Sequence, residues 1–186
     1  VYTTLNMQKD HNHNGARPWR GFKRDQWEGG HRTPFIARWP GKVKAGSVSD
    51  QLTSLTDIMT TCAAIVGAKL PSNAAEDGYN MLPVLLGTQG DTPVRRYMIE
   101  QTITHALSIR DGKWKYLDHK GSGGNDYTRE EPWGMKAYAL PELEPDAPAQ
   151  LYNLTVDPGE TTNLYASHPE VVARLLEQLK MDVKRG

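Results

Sequence analysis

A chain of 186 residues, 38% hydrophobic and 24% charged, is long enough to bury a core, and its 22 basic residues balance its 22 acidic ones. Zero net charge excludes the broad fields that draw in nucleic acid or anionic lipid, so the sequence predicts no nucleic-acid partner. The longest mainly apolar run, residues 65–70, is interrupted by Gly67 and Lys69 and is too short to span a bilayer, which predicts a soluble chain without a membrane partner. Residues 1–7 show neither the basic nor the apolar region of a signal peptide. Cys62 stands alone, so no internal disulfide can form, and its apolar neighbours predict a core position.

In chain order, residues 1–4 alternate like the end of a strand, and residues 8–18 are polar and rich in turn formers, which predicts a loop. Residues 35–39 predict a short strand closed by Pro40-Gly41. Ser54, Thr56 and Asp57 offer caps to a helix of about three turns whose apolar face is Ile58, Met59, Cys62, Ile65 and Val66, ended by Gly67. Residues 81–87 predict a brief helical turn, followed by a linker. Strands are then expected at residues 97–100, 105–109 and 113–117, the last two joined through Asp111-Gly112, a pair suited to a tight hairpin. Residues 120–150 lack a sustained period and predict irregular structure; within them, residues 121–127 read equally as a substrate-side loop and as a disordered linker. A strand at residues 151–154 and an amphipathic helix follow, the helix marked by a Ser167-x-x-Glu170 capping box and a stripe from Val171 to Val183.

One stretch carries chemistry: Arg20-Gly21-Phe22-Lys23, then Trp27-Glu28-Gly29-Gly30-His31-Arg32-Thr33-Pro34, ending at Trp39-Pro40-Gly41. Lys23 beside a glycine turn is a cation that could stabilise negative charge developing in a water-poor cleft. Glu28 and Arg32 suit a local ion pair across two glycines that let backbones approach. His11 and His13 form a His-x-His pair without a third metal ligand at convincing spacing, and His31 and His105 are further candidates for hydrogen bonding.

This stretch resembles the late active-site motif of the sulfatases, R-G-x-K-x-x-x-W/Y-E-G-G-x-R-x-P. Four later segments are similar to the same family in the same order: Thr56-Asp57-Ile58-Met59-Thr60-Thr61, Asp77-Gly78-Tyr79-Asn80, the hairpin from Leu107 to Tyr116, and the closing Leu151-Tyr152-Asn153-Leu154 with Asp157-Pro158-Gly159-Glu160 and Asn163-Leu164. The resemblance, to the arylsulfatase family of the alkaline phosphatase-like superfamily, implies the C-terminal part of an α/β sulfatase fold. Residues 1–90 would be the rear of the large domain, and residues 91–186 a subdomain with a small antiparallel sheet and a packed helix. By the same resemblance Lys23 binds the sulfate, and His105 is a candidate substrate contact because the subdomain borders the cleft. Calcium and a formylglycine nucleophile are implied for the complete enzyme. This chain has no C/S-x-P-x-R nucleophile motif, and in the trace of a T/S-D-N-G metal motif Leu5 and Met7 replace aspartate and glycine, leaving Asn6 as the one metal-ligand candidate.

A sulfuric ester hydrolase acting on a sulfated small molecule or glycan is therefore expected, completed by a missing N-terminal portion, with the isolated chain inactive and a periplasmic or secreted setting. Two alternatives stay open. One is a phosphate or phosphonate ester hydrolase of the same superfamily; the other is a non-catalytic fragment that binds a partner chain or a sulfated glycan.

Overall fold

The structure is a computed structural model that describes residues 2–130, 135–142 and 144–185. Val1 of the expected first strand, and residues 131–134 and 143 of the expected irregular segment, lie outside the described residues. By compactness the chain divides into two units: residues 34–98 form one, and residues 1–33 with 99–186 form the other. Residues 20–33 of the lysine motif therefore fall in the second of these units.

In that second unit, α1 spans Tyr2–His11, where the sequence reading expected a strand end. Thr3 and Thr4 favour extended chain, but Leu5, Met7, Gln8 and Lys9 are good helix formers, and Lys9 and His11 in the last turn complement the helix dipole. The four-residue helix α2, Glu28–His31, carries the glycine pair. The sheet has the order β1-β2-β3-β4, with β1 Tyr97–Gln101, β2 Leu107–Asp111, β3 Trp114–Leu117 and β4 Gln150–Asn153; the unit boundary falls within β1, whose last three residues belong here. β2 and β3 pair antiparallel with Asp111 opposite Trp114, and Gly112 begins the turn at φ 55°, a conformation that glycine adopts without Cβ strain. β3 pairs with β4 antiparallel, Lys115 opposite Tyr152 and Leu117 opposite Gln150.

Alternation along β3 sends Lys115 and Leu117 to one face and Tyr116 to the other. Leu117 joins Trp27, Tyr152 and Leu154 in a buried cluster, with Tyr127 packed on it. The opposite face, bearing Ile109, Tyr116 and Leu151, is left for α5, Pro169–Arg185, which packs against β2 and β3 and buries Val172, Leu175 and Leu179. Burying side chains of this size contributes about 2 kcal/mol each, so the helix is held by its stripe more than by its ends. Ser167 of the expected capping box donates its hydroxyl to the Leu164 carbonyl at 3.1 Å, and the first turn of α5 hangs from the His168 carbonyl. The closing motif is a set of backbone anchors. Asp157 accepts from the amides of Thr161 and Thr162, and the Asn163 amide oxygen accepts from Leu151 and Tyr165. The segment between β3 and β4 is irregular as expected, with a single 3-10 turn at Lys136–Tyr138 among its described residues.

The unit of residues 34–98 contains α3, Asp57–Val66, and α4, Leu82–Leu85. Gly67 closes α3 in the left-handed conformation, as its position in the sequence suggests. What holds this unit is polar: the Asp57 carboxylate pairs with buried Arg95 and accepts from the Ser54 and Tyr79 amides, while the Thr61 hydroxyl accepts from the Met81 amide at 3.0 Å. Gly78 of the Asp-Gly motif lies against the Thr56 carbonyl, where an added Cβ would come within 2.8 Å. The apolar face of α3 is not buried as expected; Ile58, Met59, Cys62 and Ile65 are exposed, and Val66 is 75% exposed. Residues 35–39 form no strand, and Ile36 is 92% exposed. A strand needs a ladder partner for its amides and carbonyls, and none pairs with this segment among the described residues.

Candidate functional site around the Lys23 turn

Residues 20–28 run through the sheet unit as a series of anchored side chains with one exposed tip. Arg20 donates to the Glu160 carbonyl at 2.9 Å and to the Tyr152 hydroxyl at 3.2 Å, and its guanidinium lies 3.8 Å from the Trp27 ring centre. Gly21 adopts φ 85°, and Phe22 is buried. The Asp25 amide donates to the Phe22 carbonyl at 2.9 Å and closes a turn whose middle residues, Lys23 and Arg24, are both exposed. Gln26, Trp27 and Glu28 are buried again; Gln26 donates to the Ser108 hydroxyl at 2.6 Å, and the Trp27 indole donates to Gln150 at 3.0 Å. The glycine pair is required by space, because a Cβ on Gly29 would lie 2.5 Å from the Arg20 carbonyl oxygen and one on Gly30 only 2.0 Å from that of Asp25.

Beneath the turn sits a buried charge network. Glu28 contacts Lys115 at 2.9 Å, Arg110 at 3.1 Å and Arg32 at 2.7 Å, so the Glu28–Arg32 pair expected from the sequence forms. Lys115, fully buried, also contacts Glu100 at 2.9 Å. Burial pushes the Glu28 carboxyl pKa up, but the cations of Lys115 and Arg110 outweigh this and hold it at about 2. For Lys115, burial favours the neutral amine, yet Glu100 and Glu28 outweigh it and keep the ammonium charged. Glu160 accepts from the Glu28 amide at 2.7 Å through one oxygen, and its other oxygen is buried without a hydrogen-bond partner. Burial pushes its pKa up to about 8, against the pull of Lys115. His31, in the same region, is held below its ordinary pKa by burial.

Glu160 gives the fold a pH dependence. An acid whose folded pKa is raised stabilises the fold fully below its unfolded value, near 4.5, and that contribution is lost as pH rises through about 8. Glu160→Gln should remove this slope, so the stability of the variant relative to the unaltered protein should increase between pH 5 and pH 8. Urea unfolding midpoints at the two pH values measure this, and a pH-independent difference would contradict it.

The three residues singled out from the sequence are placed unequally. Lys23 stands at the exposed turn, with its carbonyl accepting from the Asn125 side chain at 3.0 Å. His105 is not on a strand, as had been expected; β2 begins at Leu107, and His105 is exposed in a turn at φ 65°, its amide donating to the Thr102 carbonyl. That turn is tied to the Lys23 turn through one loop. Thr102 donates to the Gly123 carbonyl at 2.6 Å, and the Gln26 amide donates to the Ser122 carbonyl at 2.7 Å. Asn6 is exposed on α1, away from the strand end that its motif implied. Calcium takes six to eight oxygen ligands, and among the described residues no group of three or more His, Cys, Asp or Glu could hold a metal ion, so this part of the chain does not fit a calcium centre by itself. A cavity of about 250 Å³ lies beside the turn, lined by Trp19, Phe22, Trp27, Tyr127 and Tyr138 among others. Among the described residues no helix is long and apolar enough to cross a membrane.

Asp25, Asn125 and Tyr127 were not singled out as site residues by the sequence. Asp25 carried no signal of its own, Asn125 and Tyr127 were legible only as part of the loop at residues 121–127, and nothing in that loop's composition says that it folds back on a turn about 100 residues earlier.

No protein-family model matches the chain. It is 37% identical over 170 residues to an N-acetylgalactosamine-6-O-sulfatase of Bacteroides thetaiotaomicron, covering 90% of this chain and 31% of that protein. Human arylsulfatase A is 34% identical over 159 residues, covering 83% and 30% respectively. A solved Bacteroides thetaiotaomicron structure described under the metabolism of multiple glycosaminoglycans superposes with a TM-score of 0.72 at 38% identity, covering 90% of this chain and 32% of that one. The PsFucS1 sulfatase of Pseudoalteromonas superposes with a TM-score of 0.67 at 27% identity, over 90% and 32%. The chain spans about a third of the length of these proteins, and with its four-stranded antiparallel sheet and closing helix it belongs to the sulfatase family.

Proposed function

We propose that this chain is the C-terminal portion of a sulfatase and supplies Lys23 as a cation for the sulfate group of the ester. The observation that carries the reading is the contrast along the motif: Arg20, Trp27 and Glu28 are all committed to packing and ion pairs, while Lys23 is exposed on a turn anchored from both sides. A cation fixed at that point stabilises the charge that develops on the sulfate oxygens and the departing oxygen. In the complete enzyme, formylglycine would supply the nucleophile and calcium a further positive charge, both held by residues outside this chain, with Asn6 offering at most one amide oxygen. His105, on the turn tied to the same loop, is the proposed substrate contact. The relative named an N-acetylgalactosamine-6-O-sulfatase supports a sulfated glycan as the substrate class, and a periplasmic or secreted setting belongs to the same reading.

The expected result is sulfate release from 6-sulfated N-acetylgalactosamine or 4-nitrophenyl sulfate by the full-length protein and none by residues 1–186 alone. Metal-dependent turnover by the isolated chain would overturn the division of labour.

A further inference from the structure

We propose that Asp25, held by Tyr127 and Asn125, is the positioning residue that presents Lys23 to its anion; this rests on the assignment of Lys23 to sulfate binding. Asp25 is fully buried, and four donors converge on its carboxylate. One oxygen accepts from the Phe22 amide at 2.8 Å and the Tyr127 hydroxyl at 2.5 Å. The other accepts from the Asn125 side-chain amide at 2.7 Å and the Asn125 backbone amide at 3.3 Å. The same Asn125 side chain donates to the Lys23 carbonyl, so the clamp grips the backbone of the lysine itself. Burial and the neighbouring Asp25 charge both push the Tyr127 hydroxyl pKa up, which keeps it a donor.

A carboxylate, which accepts at both oxygens and donates at neither, satisfies this arrangement. An asparagine there would turn an NH2 group toward donors. The loop supplying the clamp is fitted to the turn without slack: a Cβ on Gly124 would fall 1.9 Å from the Arg24 carbonyl oxygen, and Arg24 itself is held at φ 90°, a conformation that persists only when its surroundings enforce it. A lysine side chain is a flexible stem ending in a point charge, so the protein can place that charge only by fixing the backbone from which the stem starts. Asp25 does this for Lys23.

The test uses the full-length protein and inorganic sulfate as probe. Calorimetric sulfate affinity is measured for Asp25→Asn and Tyr127→Phe, each with Lys23 present and in a Lys23→Ala background, and trypsin cleavage after Arg24 reports the order of the turn. Expected are about tenfold weaker sulfate binding for Asp25→Asn and a smaller loss for Tyr127→Phe, both abolished in the Lys23→Ala background, with faster cleavage after Arg24. Asp25→Asn losing affinity equally with and without Lys23 would show that Asp25 only supports the fold and would overturn the proposal, as would unchanged affinity in both variants. If Asp25→Asn does not fold, Tyr127→Phe carries the same comparison. A Lys23→Ala variant that binds sulfate like the unaltered protein would remove the Lys23 assignment instead, and the cleavage rates then report separately whether Asp25 holds the turn.

Discussion

Lys115→Met should destabilise the full-length protein by about 4 kcal/mol, since breaking a buried pair by removing one partner leaves an uncompensated charge behind. Lys115 is fully buried between Glu28 and Glu100, and those two carboxylates lie within the same sheet unit at 2.9 Å on either side. Methionine fills the volume but offers no donor, so both carboxylates face a desolvated gap with only Arg110 and Arg32 remaining near Glu28. Urea or thermal unfolding measures the loss. Adding Glu28→Gln to the Lys115→Met variant should recover part of it, because one stranded charge is then gone. A loss below about 1 kcal/mol in the single variant would mean that the network is solvated and that the lysine motif is not anchored through it.

Lys23→Ala should behave in the opposite way. Lys23 is exposed, so its removal should leave the unfolding midpoint within about 0.5 kcal/mol of the unaltered protein. Sulfate ester turnover by the full-length protein should nonetheless fall about 10²- to 10³-fold, the effect expected when one charge-stabilising group is taken from a transition state. A matched loss of stability and activity would assign Lys23 to the scaffold, and unchanged activity would remove it from the site. Together the two variants separate what holds the motif from what the motif holds.

The parts of this fold that were legible in the sequence are those fixed by local chemistry. The stripe of α5, the glycine that closes α3, the Asp-Gly hairpin and the Glu28–Arg32 pair all depend on residues a few positions apart or on one amphipathic face. What the sequence misjudged depends on partners. Residues 35–39 have strand composition, and α3 has an apolar face, but burial of either requires a surface that no described residue provides. Thr3 and Thr4 suggested a strand, but no described strand pairs with that segment, and the chain forms α1 there. His105 was misplaced by two residues because the turn at Thr102 displaces the start of β2, a boundary set by Thr102 and Thr104 bonding to Gly123 rather than by periodicity.

The proposed role of Lys23 was legible only through its motif, since nothing in its own neighbourhood marks it as more than a surface lysine. The Asp25 clamp was invisible because its partners come from residues 122–127 and meet the turn only in three dimensions. The buried Lys115 was hidden as well: in sequence it looks like the polar position of an alternating strand, and only the arrival of Glu28 against β3 makes it a core residue.

The measurement that tests the central claim most directly is a crystal structure of the full-length protein with a sulfate ester bound. The proposed role of Lys23 predicts its ammonium within about 3 Å of a sulfate oxygen, the usual reach of a charge-assisted hydrogen bond, with the Asp25 carboxylate still gripping the turn beneath it. A bound ester whose sulfate is met by other cations, with the Lys23 side chain turned to solvent, would contradict it.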